Sequence, residues 1–151
     1  MRPLVIEDTQ TAVSVCYRVE LDTSKLGEFS SCEGLGVEVV LESREEGGNN
    51  AFVWQFPTRL KYPNIKLSRP IGPETSEKII NWILATTTGM QRSTGKIEAM
   101  TAHGDVIATW ELNDVIPVRW TGPALTSDSP KVLTETLEIA HHGFSKTGAK
   151  F

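Results

Sequence analysis

Three histidines, two cysteines, four tryptophans and one acidic glycine loop are the residues of this 151-residue chain whose types are suited to chemistry. His141 and His142 are adjacent, and neighbouring side chains of an extended segment point to opposite faces, so the pair does not share one metal ion; His103 is far away in sequence. Cys16 and Cys32 lack CxxC spacing and have no nearby histidine to make a thiolate, so they read as buried thiols. Gly34 and Gly36 are followed neither by the third glycine nor by the helix of a dinucleotide-binding turn, and read as a bend between strands. Gly47 and Gly48 suit a backbone wrapped round an anion, but Glu45 and Glu46 beside them repel phosphate. No serine sits in a Gly-x-Ser-x-Gly elbow, and no nucleophile and base can be paired. The chemistry-bearing residues therefore point away from catalysis: the expectation is a non-enzyme with no cofactor and no metal. Trp54, Trp82, Trp110 and Trp120 could stack on bases or sugars, but no basic residues interleave with them and the formal net charge is -4. A place in the core or at a subunit interface fits them better, and no nucleic-acid specificity is expected.

The elements that must position these residues are mostly strands. Residues 13–21 alternate, with Val13, Val15, Tyr17, Val19 and Leu21 on one face. Residues 22–27 read as a turn and 29–32 as a short extended piece; alternation resumes over 37–43. A polar stretch, Arg44, Glu45, Glu46, Gly47, Gly48, Asn49 and Asn50, then separates that strand from the aromatic run Phe52 to Phe56, predicting two strands joined by a protruding loop. Because Pro63 cannot donate to a central ladder, the next strand should start after it, with Ile65 and Leu67 inward. From Thr75 the residues Ile79, Ile80, Ile83 and Leu84 recur at helical spacing until near Gly89, with Glu74 and Glu77 at the positive end of the helix dipole. Strands over 96–100 and 106–112 flank a hairpin loop, and after an Asn113-Asp114 break come 115–120 and a last strand over 132–140.

The prediction is thus a mainly β (α+β) chain: a β-barrel or sandwich of about seven strands with one flanking α-helix. A hydrophobic fraction of 39% is enough for one core, so residues 1–151 form one domain with short flexible ends at about 1–10 and 145–151. Leu4, Val5 and Ile6 precede two acids and are too few for a signal-peptide core, and no apolar stretch nears the roughly 20 residues of a membrane-spanning helix. Assembly in the cytoplasm, without membrane insertion of the monomer, is the corresponding expectation.

Several segments occur together in a family-like order. Gly27-Glu28-Phe29 leads to Gly34-Leu35; an acidic strand leads into the Arg44 to Asn50 loop; Lys61-Tyr62-Pro63-Asn64-Ile65-Lys66-Leu67 is followed by Arg69 and a helix containing Trp82; and the chain closes on Leu137-Glu138-Ile139-Ala140-His141-His142-Gly143-Phe144. Through these segments, spanning about 13–144, the chain resembles the phage tail tube protein family, including the tube subunits of extracellular contractile injection systems. It departs from the family pattern in residues 145–151, which run beyond the usual end. The resemblance implies a fold related to the hexameric tube protein of type VI secretion. It implies hexameric rings stacked into a hollow tube, with the partners being other copies of the chain, a sheath protein, baseplate and cap proteins, and cargo in the lumen. It also places Lys61, Tyr62, Pro63, Asn64, Trp82, His141, Gly143 and Phe144 in the core or at interfaces. The Arg44 to Asn50 loop is expected to contact a neighbouring subunit or ring. The competing reading is a monomeric β-barrel module that binds a small ligand or single-stranded nucleic acid through its tryptophans.

Overall fold

The computed structural model describes residues 16–22, 24–48, 50–89, 91–128 and 131–148, with 146–148 as backbone only. The expectations for 1–10, for Val13, Ser14 and Val15, for Asn49 and for 149–151 lie outside them. In chain order the elements are β1 (Cys16–Leu21), β2 (Lys25–Phe29), β3 (Ser31–Glu33), β4 (Glu38–Arg44), β5 (Trp54–Lys61), β6 (Ile65–Pro70), α1 (Thr75–Ala85), β7 (Ser93–Met100), β8 (Val106–Thr121), β9 (Thr134–Ala140) and β10 (Phe144–Gly148). Eight strands form one antiparallel sheet. Seven of them run in the order β2-β1-β7-β8-β9-β6-β3, and β10 pairs with β8 beside that path. Strands β4 and β5 form a sheet of their own.

The mainly β fold with a single helix is as the sequence predicts, but three details differ. The turn read over 22–27 is shorter: Leu21 and Ser24 close it, and β2 starts at Lys25. The Asn113-Asp114 break does not end a strand. Asp114 adopts φ 53, a left-handed conformation that Asp tolerates better than most residues, and β8 continues through it. At this bend β8 passes from β7 and β10 to β9, so one long strand serves both halves of the curved sheet. Finally, the end predicted to be flexible from Ser145 onward forms β10 as far as Gly148, held on the edge of β8. Ten strands are therefore described, where the pattern gave about seven.

The core follows the alternation. Val19 and Leu21 of β1, Ile65 and Leu67 of β6, Ile97 of β7, Leu112 and Val115 of β8, and Leu137 and Ile139 of β9 are all buried. Each of these large side chains contributes about 1.5–3 kcal/mol by leaving water. Helix α1 closes the core with Ile79, while Ile83 and Trp82 pack at its margin and Leu84 stays exposed. Beyond its C-terminus Thr86, Thr87 and Thr88 each donate both the backbone N–H and the hydroxyl to the carbonyls of Ile83, Leu84 and Ala85, so the last carbonyls of the helix are satisfied.

One buried feature was not read from the sequence. Arg69 and Glu135 are register partners on β6 and β9, both at inward positions, and Arg69 Nε donates to Glu135 Oε1 at 2.7 Å. Ser76 Oγ and Trp120 Nε1 donate to Glu135 Oε2 at 2.6 and 2.9 Å. Burial alone raises a carboxyl pKa, but the hydrogen bonds from Ser76, Arg69 and Trp120 and the Arg69 charge outweigh it, so the Glu135 pKa is lowered. With a lower pKa when folded, the unfolded chain binds the extra proton, so this stability is present above the ordinary carboxylate range and lost as pH falls through the folded value. Thermal melts of wild type and Glu135→Gln should therefore differ most near neutral pH and converge in acid; a gap that is constant with pH contradicts this assignment.

Candidate assembly surfaces

The β4–β5 hairpin carries a cluster of exposed apolar side chains: Val39, Leu41, Trp54, Phe56 and Leu60. A two-stranded ribbon is marginal in water by itself, and normal soluble surfaces carry only small apolar patches. Here Val39 pairs with Leu60 and Leu41 with Pro57 on one face, and Val39, Leu41 and Leu60 are all exposed. The opposite face carries Trp54 stacked on Phe56, with ring centroids 6.1 Å apart, and Phe52 edge-on to Trp54 at 5.1 Å. Trp54 is 45% exposed, so it belongs to this surface, whereas Trp82, Trp110 and Trp120 pack against the core. The four tryptophans therefore form no single stacking platform.

The predicted contact loop is the tip of this hairpin. Arg44 bonds Glu42 at 3.1 Å, and Glu46 accepts from Trp54 Nε1 at 2.9 Å; Glu45, Gly47, Gly48 and Asn50 are exposed. These links stiffen the tip against its own strands and leave the apolar faces uncovered.

The family-like residues gather at the other end of the hairpin, where it joins the body. Tyr62 follows β5 directly, and its ring lies 5.4 Å from His141 and 5.9 Å from Phe144. Gly143, at φ 116, packs flat against that ring, where a Cβ would collide with it. Its N–H donates to His141 Nδ1 at 3.1 Å, and burial holds the His141 pKa below the ordinary histidine value. His142 points the other way and is exposed, next to Arg92 and Asp114. Pro63 and Lys61 are exposed, Asn64 Nδ2 donates to Glu138 at 3.0 Å, and Trp82 lies apart on α1.

The two legs of the hairpin converge at Gly34 and Asn64. Gly34 has φ 93, and a side chain there would press into the Asn64 carbonyl oxygen. Gly34→Ala is therefore expected to cost about 2 kcal/mol or more, read as a lowered Tm, through combined backbone strain and overpacking. An unchanged melt contradicts this placement of the legs.

The sheet also ends in open edges. Among the described residues, strands β2, β3 and β10 each pair on one side only, and unpaired edges recruit other strands unless something covers them. No helix among the described residues is long and apolar enough to cross a membrane.

Open sheet edges and a projecting apolar hairpin are surfaces through which copies of such a β domain can join. The profile of the T4-like virus tail tube protein gp19 family matches residues 13–145, and the chain belongs to that family. No curated protein sequence matches it. Among solved structures it is similar to a chain of the anti-feeding prophage (AFP) baseplate, 6-fold symmetrised. The TM-score is 0.75 at 20% identity, covering 93% of this chain and 97% of that one. A chain of the PVC sheath-tube complex of an extracellular contractile injection system, in its extended state, matches with TM-score 0.73 at 18% identity, covering 90% and 91%. Hcp1 from Flavobacterium johnsoniae matches at TM-score 0.51 and 15% identity, covering 89% and 95%.

Proposed function

We propose that this chain is a non-enzymatic structural subunit of the inner tube of a contractile injection particle or phage tail, built from six-membered rings stacked along an axis. The observation that carries this reading is the β4–β5 hairpin, whose apolar faces project where no other described residue of the chain covers them. Another copy is the occupant that fits. The hairpin and the open sheet edges lie on different parts of one subunit, so contacts through them are heterologous. Such contacts close into rings by rotation and extend into filaments by stacking. Family membership supports the tube, and the 6-fold symmetry named for the AFP baseplate supports the ring number.

The described tip residues Arg44, Glu45, Glu46, Gly47, Gly48 and Asn50 then lie at the contact with a neighbouring subunit or ring, and Tyr62, His141, Gly143 and Phe144 set the angle at which the hairpin leaves the body. A sheath, a baseplate and a cap are the further partners, as in the relatives' complexes. The acidic net charge suits a basic sheath surface, a contact that weakens with salt.

Negative-stain microscopy of the purified chain across a concentration series tests the reading. Rings of six, or tubes built from them, are expected. Small monomeric particles at every concentration, with sheath and baseplate present, overturn it in favour of a monomeric binding module.

A further inference from the structure

The Arg69 guanidinium reaches further than its carboxylate partner. Nη1 donates to the Leu26 carbonyl at 2.6 Å, Nη2 donates to the Thr75 carbonyl at 2.5 Å, and the carbon between them lies 4.4 Å from the centre of the Phe29 ring. Leu26 and Phe29 belong to β2 and Thr75 opens α1, so one side chain on β6, near one end of the strand order, ties the edge strand at the other end and a helix to it. The contact on β2 falls at an irregular point. Val19 pairs with Gly27 and Glu20 with Lys25, so Leu26 is the extra residue of a bulge, and its carbonyl is the group Arg69 takes. A bulge bends and twists its strand, and whatever holds the bulge sets the course of the edge beyond it.

We propose that Arg69 is a positioning residue for assembly: by holding the Leu26 bulge and the first turn of α1, it fixes the path of the β2 edge that a neighbouring copy meets. This rests on the reading that copies join at their sheet edges. A pair that only stabilised the fold would need no fork; an apolar pair of similar volume replaces a buried ion pair without loss in many proteins. Lysine would keep the charge opposite Glu135 but lacks the planar fork that reaches two carbonyls as well.

Two variants separate the roles. Arg69→Met combined with Glu135→Met leaves no unpaired buried charge and is expected to melt below wild type, because Leu26, Thr75, Ser76 and Trp120 lose partners, but above Arg69→Met alone. Arg69→Lys keeps the ion pair and carries the test if the double variant does not fold. In each folded variant, amide exchange measured on dilute monomer should be at least ten-fold faster over Lys25–Phe29, with β7 unchanged. The yield of rings at fixed concentration should fall at least ten-fold. Wild-type exchange over β2, or wild-type ring yield in either folded variant, overturns the assignment. If wild type itself forms no rings, the tube reading fails, while the exchange measurement still decides what Arg69 does.

Discussion

Trp54→Ser combined with Phe56→Ser is expected to yield a chain that melts like wild type yet forms no tubes. Both side chains are exposed and stack on each other outside the core, so their loss removes little folding free energy. Within an interface the balance reverses. Buried tryptophans are frequent hot spots, each costing about 2–4 kcal/mol when truncated, and 2.7 kcal/mol is already about a hundred-fold in association. A filament repeats the contact at every subunit, so the critical concentration for tube growth should rise by more than about a hundred-fold. Sedimentation of assembled material against concentration gives the number directly. Tubes at the wild-type threshold would mean that the aromatic face of the hairpin faces solvent in the particle.

The second large effect is on the fold. Arg69→Met alone leaves Glu135 buried at 0% exposure, its charge opposed only by the Ser76 and Trp120 hydrogen bonds. Removing one member of a buried ion pair costs about 3–5 kcal/mol, which for a domain of this size lowers Tm by roughly 10 °C. Lowering the pH should narrow the gap, because the orphaned carboxylate can then take up a proton. A loss that grows in acid contradicts the assignment of charge to this pair.

Much of the fold was legible because alternation reports burial. Ile65 and Leu67 were placed inward and are fully buried, and the helix was found from the spacing that puts Ile79 in the core. The same rule carried more than was taken from it. Arg69 continues the inward phase of Ile65 and Leu67, and Glu135 that of Leu137 and Ile139, so opposite charges stood at buried positions of two strands. The missing step was the pairing of β6 with β9, which local periodicity does not encode.

Other features depend on contacts distant in sequence. Asn113 and Asp114 look like a turn, yet Asn113 N–H donates to the Gly143 carbonyl and His142 N–H to the Asn113 carbonyl, both at 2.8 Å, and these bonds carry β8 through the bend. Strand β10 exists because the edge of β8 is there to receive it. The hairpin was visible as two apolar runs around a polar loop. That both of its faces would be exposed was not, since an apolar pattern marks what is covered without saying by which molecule. The family-like residues Tyr62, His141, Gly143 and Phe144 stood far apart in the chain and meet at the hairpin base, while Trp82 shares their motif order but not their location.

Amide exchange over residues 38–61 of the wild-type chain, compared between dilute monomer and pelleted tubes, tests most directly whether another copy covers the hairpin. Protection rising by at least about a hundred-fold on assembly, concentrated in β4 and β5, is the expected result. Equal exchange in both states would show the ribbon still open to water in the finished particle, and the proposed joining of copies through it would be wrong.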